Sequence, residues 1–136
     1  MHEIFDHTAD VGMRIKAANL DQLFAEAAEA LFSLLIEDLT AVQPRQSFEI
    51  KLDGEDLEYL LFDWLKELLY RFDAEHWVFS RFAVHVEMGK LEATVSGEPL
   101  DWARHVPNHE VKAITYHGLR VERQADGWLA EVIVDI

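Results

Sequence analysis

Two segments of the chain place hydrophobic residues at the spacing of an amphipathic α-helix. Asn19 precedes the first segment and Gln22 follows three residues later, which approximates a capping box. The apolar positions of this first segment are Leu20, Leu23, Phe24, Ala27, Leu31, Leu34 and Leu35. Those of the second are Leu57, Leu60, Leu61, Trp64, Leu65, Leu68, Leu69 and Phe72. Both patterns predict helices, and we interpret the second row as core packing rather than as a cofactor groove.

Alternation of apolar and polar residues predicts strands before, between and after these helices. The predicted strands are 13–17, 47–52, 82–88, 91–95, 111–116, 119–122 and 128–134. Asp6 to Asp10 is expected to run into the first strand as one extended entry, and 101–107 is expected to be a loop. Gly89-Lys90 and Asp126-Gly127 predict tight hairpin connections. The fold class is therefore α+β, with two amphipathic helices packed on mainly antiparallel β-sheet in a single domain of residues 1–136.

Composition limits what such a domain can be. A chain of 136 residues, half of them hydrophobic, is long enough to bury about two-thirds of its unfolded surface. Cysteine is absent, so disulfides, thiolate nucleophiles and thiolate zinc sites are excluded. No long apolar run and no basic leader at Met1 are present, so we expect a cytoplasmic protein without a membrane span. Motifs such as G-x-S-x-G, a glycine-rich phosphate loop or H-E-x-x-H are also absent, which leaves no signature of an enzyme.

The formal net charge is strongly negative. The chain has 26 acidic and 12 basic residues, which gives a net charge of −14. Such a field repels phosphate backbones and disfavours direct, sequence-independent binding to nucleic acids. It favours a basic protein partner, although acidity that serves only solubility explains the composition equally well.

The two ends of the chain contain a candidate metal site. The run from Trp128 to Ile136 alternates as one face of a strand, so the terminus is expected to dock into a sheet with the Asp135 side chain beside the α-carboxylate. Near the other end, an extended Asp6 to Asp10 segment would put Asp6, Thr8 and Asp10 on one face. Oxygen ligands of this kind suit Ca²⁺ or Mg²⁺ if both ends meet. The alternative is a solvated polar edge, because spacing alone does not prove that the ends are adjacent.

A second polar cluster lies at residues 108–118. Lys112 is predicted to project from a strand, where its ammonium group can meet a carboxylate or a phosphate, or can simply be an exposed strand lysine. His109 and His117 lack the i, i+4 spacing of a helical zinc pair and are interpreted as structural or capping residues.

Five motifs taken together resemble the archease family. They are DHTADVG at 6–12, LFAEAAEALF at 23–32, LLFDWLKELLYRFD at 60–73, EVKAITYHGL at 110–119 and GWLAEVIVDI at 127–136. The resemblance implies a metal site on Asp10, Asp135 and the terminal Ile136, with Lys112 as the functional lysine. It also implies that Asp6 and His7 belong to the first motif.

The resemblance further implies an accessory protein rather than an independent catalyst. Archeases assist the RtcB-type RNA-splicing ligase, which joins phosphate-bearing RNA ends to hydroxyl ends through a guanylylated histidine. They promote that guanylylation, multiple turnover and broader nucleotide use in tRNA splicing or RNA repair. The alternative function is a general chaperone or nucleic-acid-associated modulator with a structural metal.

Overall fold

The described part of the chain forms two α-helices and seven β-strands. The computed structural model describes residues 1–7 and 10–136, with only the backbone of His7 included. The strands are β1 (His2–His7), β2 (Asp10–Ala17), β3 (Gln46–Asp53), β4 (Trp77–Glu87), β5 (Lys90–Pro99), β6 (Ala113–Gln124) and β7 (Gly127–Asp135). The helices are α1 (Leu20–Leu35) and α2 (Leu57–Asp73), and a 3-10 turn covers Leu39–Ala41.

The strands form two antiparallel sheets. The larger has the order β1-β2-β7-β6, and the smaller has the order β3-β5-β4. Helix α1 contacts strands of both sheets, whereas α2 packs mainly on β6 and also touches β3, β4 and α1. One continuous hydrophobic cluster joins both sheets and both helices. The predicted α+β class, with two helices on antiparallel sheet, is confirmed.

Both helices begin at a side-chain cap, of which only Asn19 was predicted from the sequence. The Asn19 side chain accepts a hydrogen bond from the Gln22 amide at 2.9 Å, and Asp56 similarly caps the start of α2. The second apolar row is confirmed as core packing. Trp64 is fully buried, and its indole nitrogen donates to the Phe24 carbonyl oxygen at 3.0 Å, which ties α2 to α1. No helix among the described residues is long and apolar enough to cross a membrane.

The predicted extended entry from Asp6 into the first strand is wrong. Two antiparallel strands are present instead, and His7 pairs with Asp10 while His2 pairs with Ile15. β1 has no alternating apolar row of its own, since Ile4 is exposed and Phe5 lies on the opposite face. The hydrophobic pattern of this edge strand is therefore too weak to predict it from the sequence.

The predicted strands at 111–116 and 119–122 are one strand, β6, interrupted by a bulge. Thr115 pairs with Ile133 and Arg120 with Glu131, so residues 116–119 face a single residue of β7. Gly118 lies within the bulge at φ +69°, a backbone angle that glycine adopts without strain. Tyr116 is the first residue of the bulge and lies at the surface beside α2, where it contacts Tyr59 and Phe62.

Candidate functional site

The two ends of the chain meet at one end of the larger sheet. β2 and β7 are the central strands of that sheet, and in their register Asp10 lies directly opposite Asp135. Ala113, the first residue of β6, pairs with Asp135 from the other side. Ile136 follows as the last residue of the chain. The adjacency that spacing alone left open is therefore present in the sheet.

The carboxylates of Asp10 and Asp135 belong to the same face of the sheet. Their neighbours Val11 and Val134 are buried in the core, so alternation turns the two aspartates toward the outer face. Side chains directly opposite each other in an antiparallel pair have Cβ atoms about 4.5–5.5 Å apart. Like charges in such a pair repel, and a bound cation removes that repulsion.

The C-terminus is held by packing on one side and by a hydrogen bond on the other. Ala130, Val132 and Val134 are fully buried, and the Ile136 side chain packs against the core. The Lys112 amide donates to the Asp135 carbonyl oxygen at 2.7 Å. The docking of the terminal strand predicted from its alternation is confirmed.

Lys112 lies at the same sheet end but on the helix side. It lies immediately before β6, which begins at Ala113, and so not within the strand as predicted. It lines a cleft of about 220 Å³ with Phe62, Lys66, Asp73 and other residues of α2 and β6. No ion pair joins Lys112 to Asp135 among the described residues, so its ammonium group is available to a ligand that reaches this cleft.

Asp73 is the acidic group of that cleft. Partial burial, and after it the negative charge of Glu110, raise the pKa of the Asp73 carboxyl above its usual range, and His76 opposes the shift. The cleft therefore combines two lysines with a carboxyl group that protonates more readily than an exposed aspartate.

The prediction that Asp6, Thr8 and Asp10 share one face of an extended segment is wrong for Asp6 and Asp10. In the hairpin Asp6 pairs with Val11 and Asp10 pairs with His7, so Asp6 and Asp10 lie on opposite faces. Asp6 is exposed. Thr8 and the side chain of His7 lie outside the described part of the structure. The backbone of His7 is nevertheless placed opposite Asp10, at the same sheet end as Asp135.

The two histidines of the second polar cluster do not meet. His109 donates its amide to the Leu34 carbonyl oxygen at 2.7 Å, and Asn108 donates to Leu35, so this segment caps the end of α1. His117 lies exposed on the β6 bulge. The interpretation of His109 as a capping residue is confirmed for its backbone.

The donors at the sheet end fit a hard cation in kind but not in number. Among the described residues, no group of three or more His, Asp or Glu side chains is placed to hold a metal ion. The residues predicted to bind a metal are Asp10 and Asp135, which are paired, and Ile136, which follows Asp135. Ca²⁺ and Mg²⁺ take about six to eight oxygen ligands, so water or a partner must supply the others.

A buried polar network lies away from this site and was not anticipated from the sequence. Glu98 is 2% exposed and His105 is fully buried, and His105 Nε2 lies 3.0 Å from Glu98. Glu98 also accepts hydrogen bonds from Arg104 at 2.6 Å and from the Gln43 amide at 2.8 Å. His105 Nδ1 accepts from the Asp101 amide, so the neutral ring donates through Nε2. The network fixes the 99–107 loop to the smaller sheet.

Comparison with known proteins gives the family. The model of the Archease protein family matches residues 2–136. Protein archease of Methanopyrus kandleri is 44% identical over 138 residues and covers 98% of both chains. Protein archease of Pyrococcus furiosus is 41% identical over 139 residues and covers 98% of this chain and 97% of its own.

Two solved structures have a fold similar to that of this chain. The solution structure of a Methanobacterium thermoautotrophicum protein matches with a TM-score of 0.88 and 33% identity, covering 99% of this chain and 98% of its own. The crystal structure of a Thermotoga maritima archease, described as a possible chaperone, has a TM-score of 0.68 and 23% identity, covers 100% of this chain and 98% of its own, and shares the fold. From the match over nearly its whole length, together with the identity to curated relatives, this chain belongs to the archease family.

Proposed function

We propose that the protein is an accessory activator of an RtcB-type RNA-splicing ligase. It promotes guanylylation and multiple turnover of that ligase in tRNA splicing or RNA repair, and it is not itself a catalyst. The observation that carries this proposal is the register of β2 and β7, which sets Asp10 opposite Asp135 one residue before the C-terminus. A free chain end that is both anionic and held in a sheet can enter the active site of another protein.

Asp10, Asp135 and the α-carboxylate of Ile136 would hold the divalent cation, Ca²⁺ or Mg²⁺. When bound, the cation neutralises negative charge on nucleotide phosphates and lets this acidic chain end approach them. Lys112, from the helix side of the same sheet end, offers a second positive charge to an anion. Asp6 and His7 flank the site from β1. The remaining metal ligands come from water or from the ligase.

The charge of the whole chain supports a basic partner. A net charge of −14 repels free RNA and attracts proteins whose surface is built to bind RNA. Such complementarity chiefly raises the rate of encounter and selects the partner. The contact is expected to be transient and to weaken with salt.

A general chaperone is the alternative function. The Thermotoga maritima relative is described as a possible chaperone, and this chain exposes large hydrophobic side chains, among them Trp102 and Tyr70. A chaperone binds unfolded chains through such apolar area and does not require the aspartates at the sheet end. The two functions are therefore separated by substitutions at Asp135.

The test is a multiple-turnover ligation assay with the RNA ligase of the same organism. We expect the wild-type protein to raise ligase guanylylation and turnover, and Asp135→Asn to lose at least about tenfold of this effect, since even groups that only orient metal ligands matter by about 10- to 100-fold. Asp126→Asn is the matched control, because it removes the same charge from the turn at the other end of the β6–β7 hairpin.

Calorimetric titration with Ca²⁺ and with Mg²⁺ tests the metal directly. Asp10→Asn and Asp135→Asn should each weaken binding, while Asp126→Asn should bind as the wild type does. Unfolding temperatures measured without metal should be similar for Asp135→Asn, Asp126→Asn and the wild type, because Asp135 lies on the outer face of the sheet. Equal activation by Asp135→Asn and by the wild type contradicts the proposal.

A further inference from the structure

A cluster of aromatic rings lies exposed between the start of α2 and the β6 bulge. The rings of Tyr59 and Tyr116 are stacked with centroids 4.6 Å apart and an angle of 26° between their planes. Phe62 contacts Tyr116 edge-on at 5.7 Å. Tyr59 is 53% exposed and Tyr116 is 40% exposed, so the outward sides of both rings face solvent. We call Tyr59, Phe62 and Tyr116 the tyrosine surface.

Tyr116 is the first residue of the β6 bulge and lies next to the start of α2. Four residues, 116–119, stand opposite one residue of β7, and Gly118 adopts φ +69° with open space around the position of a Cβ atom. Bulges redirect side chains and are commonly found beside functional sites.

Carboxylates without cationic partners surround the tyrosine surface. Asp56 is the N-cap of α2 and accepts a hydrogen bond from the Glu58 amide, Glu58 lies in the first turn next to Tyr59, and neither carboxylate forms an ion pair with another described residue. Their closeness to the stack is reflected in the raised pKa of Tyr116: loss of hydration is the largest cause, and the charges of Tyr59, Asp56 and Glu58 add to it. The Tyr59 and Tyr116 rings thus present π systems beside negative charge, whereas the Phe62 ring has the Lys66 ammonium group 5.8 Å from its centre.

We propose that the tyrosine surface is the docking site for an arginine side chain of the protein partner. A guanidinium group is planar and weakly hydrated, so it stacks on an aromatic face and also donates to carboxylates such as those of Asp56 and Glu58. A phosphate backbone is repelled by the same carboxylates. A purely apolar partner would leave them desolvated and unpaired. Tyrosine and arginine are also the residue types that dominate binding energy at protein interfaces.

This inference rests on the proposed function, because it assigns part of the ligase contact to a surface beside the terminal site. Tyr116 is three residues along β6 from Ala113, which pairs with Asp135, so the two sites are about 10 Å apart along the strand, with the aspartates on the outer face and Tyr116 on the helix side. A single protein partner that receives the chain end can cover both. The terminal site then supplies activation, and the tyrosine surface supplies affinity.

The first test compares Tyr116→Leu with Tyr116→Phe in binding to the ligase. Leucine keeps an apolar side chain but removes the π face, whereas phenylalanine keeps the ring. We expect Tyr116→Leu to raise the Kd about tenfold, a loss typical of an interface hot spot. Tyr116→Phe should bind nearly as the wild type does. Activation at saturating protein should be unchanged in both, in contrast to Asp135→Asn.

A matched pair of variants tests the carboxylates beside the tyrosine surface. Glu58→Gln and Glu92→Gln change the net charge equally, but Glu92 lies on the outer face of the smaller sheet, paired with Lys51 and His85 in the strand register. Glu58→Gln should weaken ligase binding several-fold more than Glu92→Gln at the same ionic strength. Equal effects would show that only the overall charge matters.

A test without the ligase uses ethylguanidinium chloride as the probe and NMR as the readout. The ring protons of Tyr59 and Tyr116 should shift more with ethylguanidinium than with ethylammonium. Tyr70 is the internal control, because it is 57% exposed but is in contact with no other aromatic ring of the described chain. Equal shifts at all three tyrosines overturn the arginine assignment.

The outcomes separate this inference from the proposed function. If the wild-type protein neither binds nor activates the ligase, the proposed function is refuted. The ethylguanidinium titration then tests by itself whether the tyrosine surface binds a guanidinium group. Normal ligase binding by Tyr116→Leu refutes the inference alone. Binding of single-stranded RNA that disappears in Tyr116→Leu, or a dimer that dissociates in that variant, assigns the surface to another occupant and likewise overturns it.

Discussion

At the scale of single residues, Glu98 shows how a buried charge is made tolerable. Removing a carboxylate from water is costly, but Arg104, the Gln43 amide and His105 all donate hydrogen bonds to it. Burial acts to raise the pKa of Glu98, and these hydrogen bonds outweigh it and lower the pKa to about 2. The carboxylate therefore remains ionised down to strongly acidic solutions.

The sign of this shift gives a prediction for acid stability. Because the folded state lowers the pKa from 4.5 to about 2, ionised Glu98 stabilises the fold above about pH 4.5, and this contribution is lost as the pH falls toward 2. Glu98→Gln should lower the free energy of unfolding at pH 7 by about 2 kcal/mol, the scale of hydrogen bonds to a charged group.

The measurement is urea denaturation of both proteins from pH 7 to pH 2. The difference between wild type and Glu98→Gln should be constant above about pH 5 and should close between 4.5 and 2. Glu49→Gln removes the same charge from an exposed position and should show no such closing. A difference that stays constant down to pH 2 would mean that the Glu98 charge does not stabilise the fold.

At the scale of elements, the helices were predictable and the β1–β2 hairpin was not. Each helix has a long apolar row of period 3.6 and a side-chain cap, two local signals that agree. For β6 the sequence pattern was harder to interpret, because Ile114 and Val121 both face the core although they are seven residues apart. Strict alternation would put their side chains on opposite faces of the sheet, but the bulge at 116–119 puts both on the same face. The sequence was therefore interpreted as two strands.

The hairpin depends on the contact between Phe5 and Gly12. These two residues are paired in the register, and a Cβ atom added at Gly12 would overlap the Phe5 ring. The Arg14 guanidinium lies 4.7 Å from the centre of the same ring and also binds Glu3 and Glu131. Absence of a side chain at position 12 thus lets Phe5 lie flat on β2 and joins the edge strand to the sheet.

Gly12→Ala should therefore destabilise the protein by about 1–3 kcal/mol, the usual cost of overpacking. The cause is displacement of the Phe5 ring, so the same substitution made in a Phe5→Ala background should cost much less. Urea denaturation of the four proteins in this double-mutant cycle provides the measurement. An equal cost of Gly12→Ala in both backgrounds would locate the strain in the backbone and not in the ring contact.

At the scale of the whole molecule, the sheet distributes charge unevenly. A row of alternating charges crosses the outer face of the larger sheet, where Arg14 joins Glu3 to Glu131 and Arg120 joins Glu131 to Glu122. Burial acts to raise the pKa of Glu131, but hydrogen bonds from both arginines lower it overall. Arginines used in this way are not available to other acidic groups, among them the carboxylates beside the tyrosine surface.

The terminal site is a property of the whole fold, which is why the local sequence did not establish it. Asp10 and Asp135 are 125 residues apart, and only the pairing of β2 with β7 makes them neighbours. If that register shifted by one residue, Asp135 would no longer lie opposite Asp10. The alternation of the last strand predicted that the terminus is docked, while the family resemblance supplied the residue against which it lies.

Extension of the chain by one glycine after Ile136 tests whether the terminal carboxylate belongs to the site. The added residue replaces a charged oxygen pair by a neutral peptide carbonyl and moves the new carboxylate about 3.5 Å further along an extended chain. A hard cation loses a negative ligand where it most needs one. Metal affinity and ligase activation should therefore both fall.

Stability without metal should change little, because the Ile136 side chain keeps its packing against the core and the Lys112 amide keeps its bond to Asp135. One glycine added before Met1 is the matched control. Met1 donates to the Lys16 carbonyl oxygen near the far end of β2, six residues and about 20 Å along the strand from Asp10. Calorimetric metal titration and the turnover assay on both extended proteins decide the question. If the C-terminally extended protein binds metal and activates as well as the native one, Ile136 contributes only its side chain, and the site consists of Asp10 and Asp135.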